Sequence, residues 1–264
     1  MNLRARYQNR TRTVVTAHRG FSARYPENTL LAFRQAVDIG ADIVEFDVRE
    51  SADGELVIMH DARLERTTTG TGAVADRTLA ELKRLNATCW SGPHDTGRRL
   101  ERPLGDETIP TLAEALDLLA GRVGLNIQVY TDSPGALDRI IRLYRDYDLR
   151  ESGFLMLRSF AEGERVRAAC RDVALCVGEA RDDLERHLAF GVDYIQPTRP
   201  CLTPGYVRRL LASGLPANVF YANDPEDMNG LIEQGLPGIM TDAPDRLIDR
   251  IRIMKETALK RSLA

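Results

Sequence analysis

Short apolar runs alternate with amphipathic stretches along most of the chain. The runs begin near residues 13, 42, 123, 154, 173, 192, 217 and 238. Each has the length and content of a strand buried on both faces. Between them the apolar residues recur at helical spacing. Leu30, Leu31, Phe33, Ala36 and Val37 mark the first such stretch, over 28–39. Later ones cover 112–119, 134–147, 162–170, 182–190, 204–213, 225–234 and 244–260. Eight strands separated by helices predict a closed parallel TIM (β/α)8 barrel. An open doubly wound sheet is the alternative, but it usually carries a Gly-rich phosphate loop after its first strand. Here that strand runs into Ala17-His18-Arg19-Gly20, which has no such loop. One stretch breaks the alternation. After the short run 56–60, residues 61–109 are polar, with one helical pattern at 79–85. They are too many for an ordinary connection. They are predicted to form a small insertion after strand 2 that covers one side of the barrel mouth, within a single domain spanning 1–264.

Composition narrows the partners. The 264 residues match one barrel of about 250. A net charge of −3 with interspersed signs gives no basic footprint for nucleic acid. A small anionic substrate must then be held by a local site. Cys89, Cys170, Cys176 and Cys201 form no C-x-x-C pair and stand at no zinc-finger spacing from a histidine. They read as free thiols of a reducing compartment. No run approaches the roughly 18 apolar residues of a membrane span. No apolar stretch precedes Val14, so a cytoplasmic protein without a secretory signal is expected. Oligomeric state is not legible.

Chemistry in such a barrel sits at the C-terminal ends of the strands. His18 and Arg19 follow strand 1. Glu45 and Asp47 lie two apart on strand 2, so their side chains share a face. Ile43, Val44, Phe46 and Val48 around them argue for a buried strand. Two inward carboxylates repel unless a cation lies between them. Oxygen ligands favour a hard divalent ion, Mg²⁺ or Ca²⁺. His60 ends the run that follows. Thus two of four histidines fall at predicted strand ends beside the acidic pair. Phosphodiester cleavage needs one group to take a proton and another to give one, and imidazole does both near neutral pH.

The chain resembles the glycerophosphodiester phosphodiesterase family. The resemblance rests on His18-Arg19-Gly20, Pro26-Glu27-Asn28-Thr29, Glu45-Phe46-Asp47-Val48, Asp53-Gly54, His60-Asp61, Arg66-Thr67-Thr68, Ile109-Pro110-Thr111-Leu112, Ser159-Phe160 and Thr241-Asp242-Ala243-Pro244. It implies a TIM barrel with a small insertion after strand 2, acting on small phosphodiesters. It implies that His18 and His60 are the acid/base pair, that Glu45 and Asp47 bind a divalent metal, and that Arg19 and Asn28 position the phosphate.

Departures cluster at the expected site. Where the family usually has Asn-Ile-Glu-Ile-Lys, this chain has Asn126-Ile127-Gln128-Val129-Tyr130. Gln128 then offers the metal an uncharged oxygen in place of a third carboxylate. Tyr130 removes a cation from beside the phosphate, and Arg158, at the end of strand 4, is expected to replace it. Phe220-Tyr221-Ala222-Asn223 stands where the family usually has Trp-Thr-Val-Asn. Tyr130, Phe220 and Tyr221 together suggest a pocket for a sugar or bulky polyol beside the phosphate. Asp242 is expected to touch that polyol or to brace the rim. Two other readings remain open at this level: a phosphodiester-binding protein with little turnover, and a lyase that releases a cyclic phosphate.

Overall fold

A computed structural model describes residues 2–9, 12–131 and 133–262. Its first element is one that the apolar pattern does not announce. Helix α1 (Leu3–Gln8) is capped by the Asn2 side chain, which accepts from the Ala5 N–H at 2.9 Å. It buries only Leu3 and Tyr7, one turn apart. Two apolar residues give too weak a periodicity to read from sequence. They matter because they fill the N-terminal end of the barrel, clustering with Val14, Ile43, Phe154, Met156, Cys176 and Tyr194. Asp42 ties the segment down. It accepts from Arg6, from Arg12 at 2.5 Å and from the Val15 N–H at 3.0 Å.

The strands then follow the predicted order. Strand β1 (Val14–Ala17) leads through helix α2 (Leu30–Asp38) to β2 (Ile43–Glu50). After the insertion come α4 (Leu112–Leu119), β6 (Gly124–Val129), α5 (Pro134–Asp146), β7 (Gly153–Leu157), α6 (Phe160–Ala169) and β8 (Leu175–Val177). Helices α7 (Leu184–Phe190), α8 (Pro204–Ser213) and α9 (Pro225–Glu233) precede β9 (Gly238–Thr241) and α10 (Pro244–Ser262). The parallel ladder runs β8-β7-β6-β2-β1-β9, so the last strand lies beside the first.

The sixth and seventh predicted strands, near 192 and 217, are not ladders. They close the ring through isolated parallel bridges, Ile195 to Ala217, Thr198 to Phe220 and Val219 to Ile239. Tyr194 N–H donates to Leu175 O at 3.0 Å, and Asn218 N–H to Ile195 O at 2.9 Å. Proline interrupts the pairing between these two segments. Pro197 and Pro216 have no N–H to give a ladder. The ring therefore closes as a (β/α)8 barrel that is well laddered on one side and thinly bridged on the other.

Strand alternation sets the site. Along β2, Val44, Phe46 and Val48 pack outward against the helix layer with Phe33, Leu112 and Leu116. Ile43 lies in the barrel-interior cluster, and Glu45, Asp47 and Arg49 share its face by the two-residue period. Residues 61–109 cover part of the mouth. Strand β3 (Leu56–Ile58) folds back antiparallel on β2. Helix α3 (Leu79–Leu82) is set by a Thr78/Glu81 capping box and is shorter than its predicted 79–85. A small hairpin pairs β4 (Trp90–Ser91) with β5 (Arg98–Arg99). Val57, Met59, Leu64, Val74, Leu82, Ala87 and Ile109 give this region its own core.

Gly20 is where backbone chemistry is most demanding. Its φ is +80°, and an added Cβ would stand 2.8 Å from the Ala32 carbonyl carbon. Gly20→Ala is expected to cost more than about 1 kcal/mol, read as a lowered urea midpoint. An unchanged midpoint would show that the turn after β1 is free to relax.

Candidate active site

The strand ends bring the predicted acids and bases together. Thr16 pairs with Ile43 and Ala17 with Val44, which sets His18 level with Glu45. Glu45 and Asp47 are each 1% exposed. Burial, and then the neighbouring Asp47 charge, hold the Glu45 carboxyl well above its usual range. The counter-charge is Arg19. Its N–H donates to Glu45 Oε2 at 2.9 Å, and its Nη1 to Glu27 Oε1 at 2.8 Å. Arg19 Nε lies 3.3 Å from Asp47 Oδ2 and makes no hydrogen bond. Asn28 donates from Nδ2 to Asp47 Oδ2 at 2.8 Å. Arg19 and Asn28 both hold positive φ, 55° and 57°. For an arginine this is strained, and such strain gathers at functional sites. One cation and one amide thus satisfy the pair only in part.

Behind His18 stands Asp242, at neither of the two places expected from sequence, a polyol contact or the rim. Its Oδ1 is 2.7 Å from His18 Nδ1 and 2.8 Å from Ser22 Oγ, and its Oδ2 accepts from Asn223 Nδ2 at 2.6 Å. Burial opposes its charge, but the His18 interactions and the Asn223 and Ser22 hydrogen bonds hold its carboxyl down to about 2. His18 Nε2 lies 4.0 Å from Glu45 Oε2, on the side of the carboxylate pair.

His60 repeats the pattern. Its Nδ1 is 2.7 Å from Asp61 Oδ1. Arg66 grips Asp61 at 2.7 and 3.0 Å and both oxygens of Glu27 at 2.7 Å. Burial alone would raise the Glu27 carboxyl, but Arg66 and Arg19 bring it down to about 2. A depressed folded value means stability that is complete above the unfolded value near ~4.3 and is lost as pH falls toward about 2. Glu27→Gln should lower stability at neutral pH and flatten the loss between roughly pH 4 and 2, measured by urea midpoints. An acid dependence identical to wild type would show that Glu27 titrates alike folded and unfolded.

The departing residues are also at the mouth. Gln128 lies in register with Asp47 and donates from Nε2 to the Tyr130 hydroxyl. Burial, then Asp47 and Glu45, push Tyr130 up to about 12, so its hydroxyl stays neutral. Its ring meets His60 edge-on at 5.5 Å. Phe220 and Tyr221 flank His18 at 5.4 and 5.8 Å, and Tyr221 donates to Asp95 of the insertion. Arg158 differs from expectation. It is exposed and pairs through Nε and Nη2 with Glu162, one helical turn on, at 3.0 and 2.5 Å. The cation beside Tyr130 is instead Arg49, whose guanidinium lies 4.9 Å from the ring centre and donates to His60 O at 2.8 Å. The two-residue period that aimed Glu45 and Asp47 inward aims Arg49 too.

The sequence pattern of the Glycerophosphoryl diester phosphodiesterase family matches residues 18–177. Over 255 residues the chain is 31% identical to a glycerophosphodiester phosphodiesterase of Caldanaerobacter subterraneus, spanning 91% of this chain and 98% of that one. Among solved structures, an Oleispira antarctica phosphodiesterase in complex with the product sn-glycerol-3-phosphate superposes with a TM-score of 0.75 at 28% identity, covering 90% of this chain and 96% of that one. A Silicibacter pomeroyi structure superposes at 0.79 with 24% identity, over 92% and 94% of the two chains, and speaks to fold alone.

Proposed function

This chain belongs to the glycerophosphoryl diester phosphodiesterase family, and from that premise we propose that His18 and His60 divide the proton transfers of glycerophosphodiester hydrolysis. One observation carries this reading. Each imidazole keeps Nδ1 2.7 Å from a carboxylate, Asp242 for His18 and Asp61 for His60. A proton on Nδ1 leaves the lone pair on Nε2. One imidazole takes the proton of the nucleophile, water or a neighbouring substrate hydroxyl. The other, protonated, gives its proton to the departing oxygen. Arg19, beside the acidic pair with Asn28, supplies fixed positive charge for the phosphate.

A divalent cation fits the same place. Glu45 and Asp47 are buried side by side and only partly compensated by Arg19. They would hold the ion, with Gln128 adding an uncharged oxygen. Bound there, it would neutralise charge on phosphate oxygens. An oxygen donor set suits Mg²⁺ or Ca²⁺.

For the alcohol, a sugar or bulky polyol is favoured by the aromatic walls. Phe220 and Tyr221 stand against His18, and Tyr130 against His60. A cleft of about 580 Å³ opens beside Phe220 and Tyr221, with Asp95 and Arg199 on its sides. Pockets for such groups pair apolar faces with a few polar ones. Glycerophosphodiesters and sugar phosphodiesters incubated with Mg²⁺ or Ca²⁺, with products identified by phosphorus NMR, test both parts. The expected products are a phosphomonoester and a free alcohol, with higher kcat/KM on sugar or inositol esters than on glycerophosphocholine. A cyclic phosphate as the only end product would make the protein a lyase. Tight binding without turnover would make it a capture protein. Preference for glycerophosphocholine over every sugar ester would remove the pocket assignment alone.

A further inference from the structure

The insertion carries a histidine that the proposed reaction does not use. His60, Asp61 and His94 each offer one ligand atom, and the three atoms lie within 4.8 Å of one another. His94 Nε2 is 4.0 Å from the Asp61 oxygen that His60 Nδ1 approaches at 2.7 Å. The two imidazole rings stand edge to face, 5.1 Å apart. We propose that His60, Asp61 and His94 form a second metal site, selective for imidazole-preferring divalent ions such as Zn²⁺ and Co²⁺ over Mg²⁺ and Ca²⁺.

The donor chemistry decides the selectivity. Two imidazoles and one carboxylate suit zinc-like ions, whereas hard ions prefer oxygen alone. Donors around a tetrahedral ion with bonds of about 2.0–2.1 Å stand roughly 3.3 Å apart. The 2.7 Å contact must therefore open and the 4.0 Å one close, each by less than about 1 Å, and the two imidazole donors must draw together by at most roughly 1.5 Å. His94 is the exposed partner and can make that movement. Arg66 holds Asp61 by two hydrogen bonds and so fixes the carboxylate's orientation, a role usual for groups behind a metal ligand. Its charge is matched by Glu27. Across the mouth Glu27, Glu45, Asp47, Asp61 and Asp242 face Arg19, Arg49 and Arg66, so an added dication meets no net positive field. The consequence for catalysis rests on the role assigned to His60 above. An imidazole committed to a metal transfers no proton, so occupation switches turnover off. The insertion would then carry an inhibitory zinc-type site into the mouth.

The test uses the full chain, titrated with Co²⁺ and followed by its visible d–d absorption. Asp47→Asn removes a ligand of the carboxylate pair, and His94→Ala a ligand of the proposed site. Bands of a nitrogen-ligated ion are expected in wild type and Asp47→Asn. Their Co²⁺ affinity should fall at least roughly tenfold in His94→Ala. Bands that are absent, that survive His94→Ala unchanged, or that vanish in Asp47→Asn would overturn the site. In parallel, Zn²⁺ is added to the Mg²⁺-activated enzyme. His94→Ala should turn over as wild type without Zn²⁺ and need at least roughly tenfold more Zn²⁺ for half-inhibition. Co²⁺ bands that depend on His94, with turnover untouched by Zn²⁺, uphold the metal site and count against His60 as a proton carrier. The two readings therefore fail separately.

Discussion

Replacing either His18 or His60 with alanine is expected to lower kcat at least about a hundredfold, the lower end of what general acid/base groups contribute. That is about 2.7 kcal/mol of transition-state stabilisation. KM should change far less, because both rings sit beside the phosphate-holding groups and not among them. The geometry behind His18 makes the expectation specific. Asp242 is fixed by Ser22 and Asn223 and kept ionised with its carboxyl near about 2. It therefore fixes the His18 tautomer throughout the working pH range and would neutralise an imidazolium when one forms. Asp242→Asn should lower kcat less than loss of His18 itself, and should shift the limb of the pH–rate curve that reports His18. A substrate with an activated leaving group needs no proton from the enzyme. It should rescue whichever alanine variant lacks the acid, and so assign the two roles. Near-normal turnover by either variant on a poor leaving group would remove that histidine from proton transfer.

How much of this could be read from the chain varies by element, for physical reasons. Strands β1, β2, β6 and β7 are built around Val, Ile, Leu and Phe and are mostly buried, and such segments announce themselves. The segments near 192 and 217 carry the same apolar signal but close the ring with isolated bridges, and Pro197 and Pro216 withhold donors from the pairing between them. The prolines were visible; their effect on the ladder depends on neighbours that only the closed ring supplies. Helix α1 was hidden for another reason. Its structure comes from where Leu3 and Tyr7 insert, a tertiary fact that local periodicity does not encode.

The candidate site divides in the same way. Glu45 and Asp47 were legible because a two-residue period fixes their face. Arg49 follows from the same period, yet its role beside Tyr130 emerges only when β6 is laid next to β2. Asp242 follows from closure. In a ring the last strand neighbours the first, so an acid after β9 meets a histidine after β1. Arg158 shows the opposite limit. Its position at a strand end pointed to the phosphate, while Glu162 in the first turn of α6 takes its charge. Charge at a strand end is a weak guide wherever an acid follows one helical turn later.

The acidic pair sets the remaining large expectation, that turnover disappears on chelation and returns with Mg²⁺ or Ca²⁺. Glu45 and Asp47 are both buried, burial and mutual repulsion raise the Glu45 carboxyl, and Arg19 meets their charge incompletely. A dication relieves that repulsion only in the folded state, so it must also stabilise the fold. At a hundred times its dissociation constant the gain is about 2.7 kcal/mol, a rise of several degrees in Tm for a chain of this size. Glu45→Gln makes the argument sharper because its two effects have opposite signs. Removing one charge relieves repulsion in the metal-free protein, so its Tm should hold or rise. The same change removes a charged ligand, so metal affinity should fall by roughly tenfold or more. Gln128→Glu should do the reverse, lowering metal-free stability and tightening the metal. A merely structural acid at position 45 would lose stability on substitution and leave the metal titration alone. Full turnover by rigorously metal-free protein, or a Tm indifferent to Mg²⁺ and Ca²⁺, would show that Arg19 alone balances the pair.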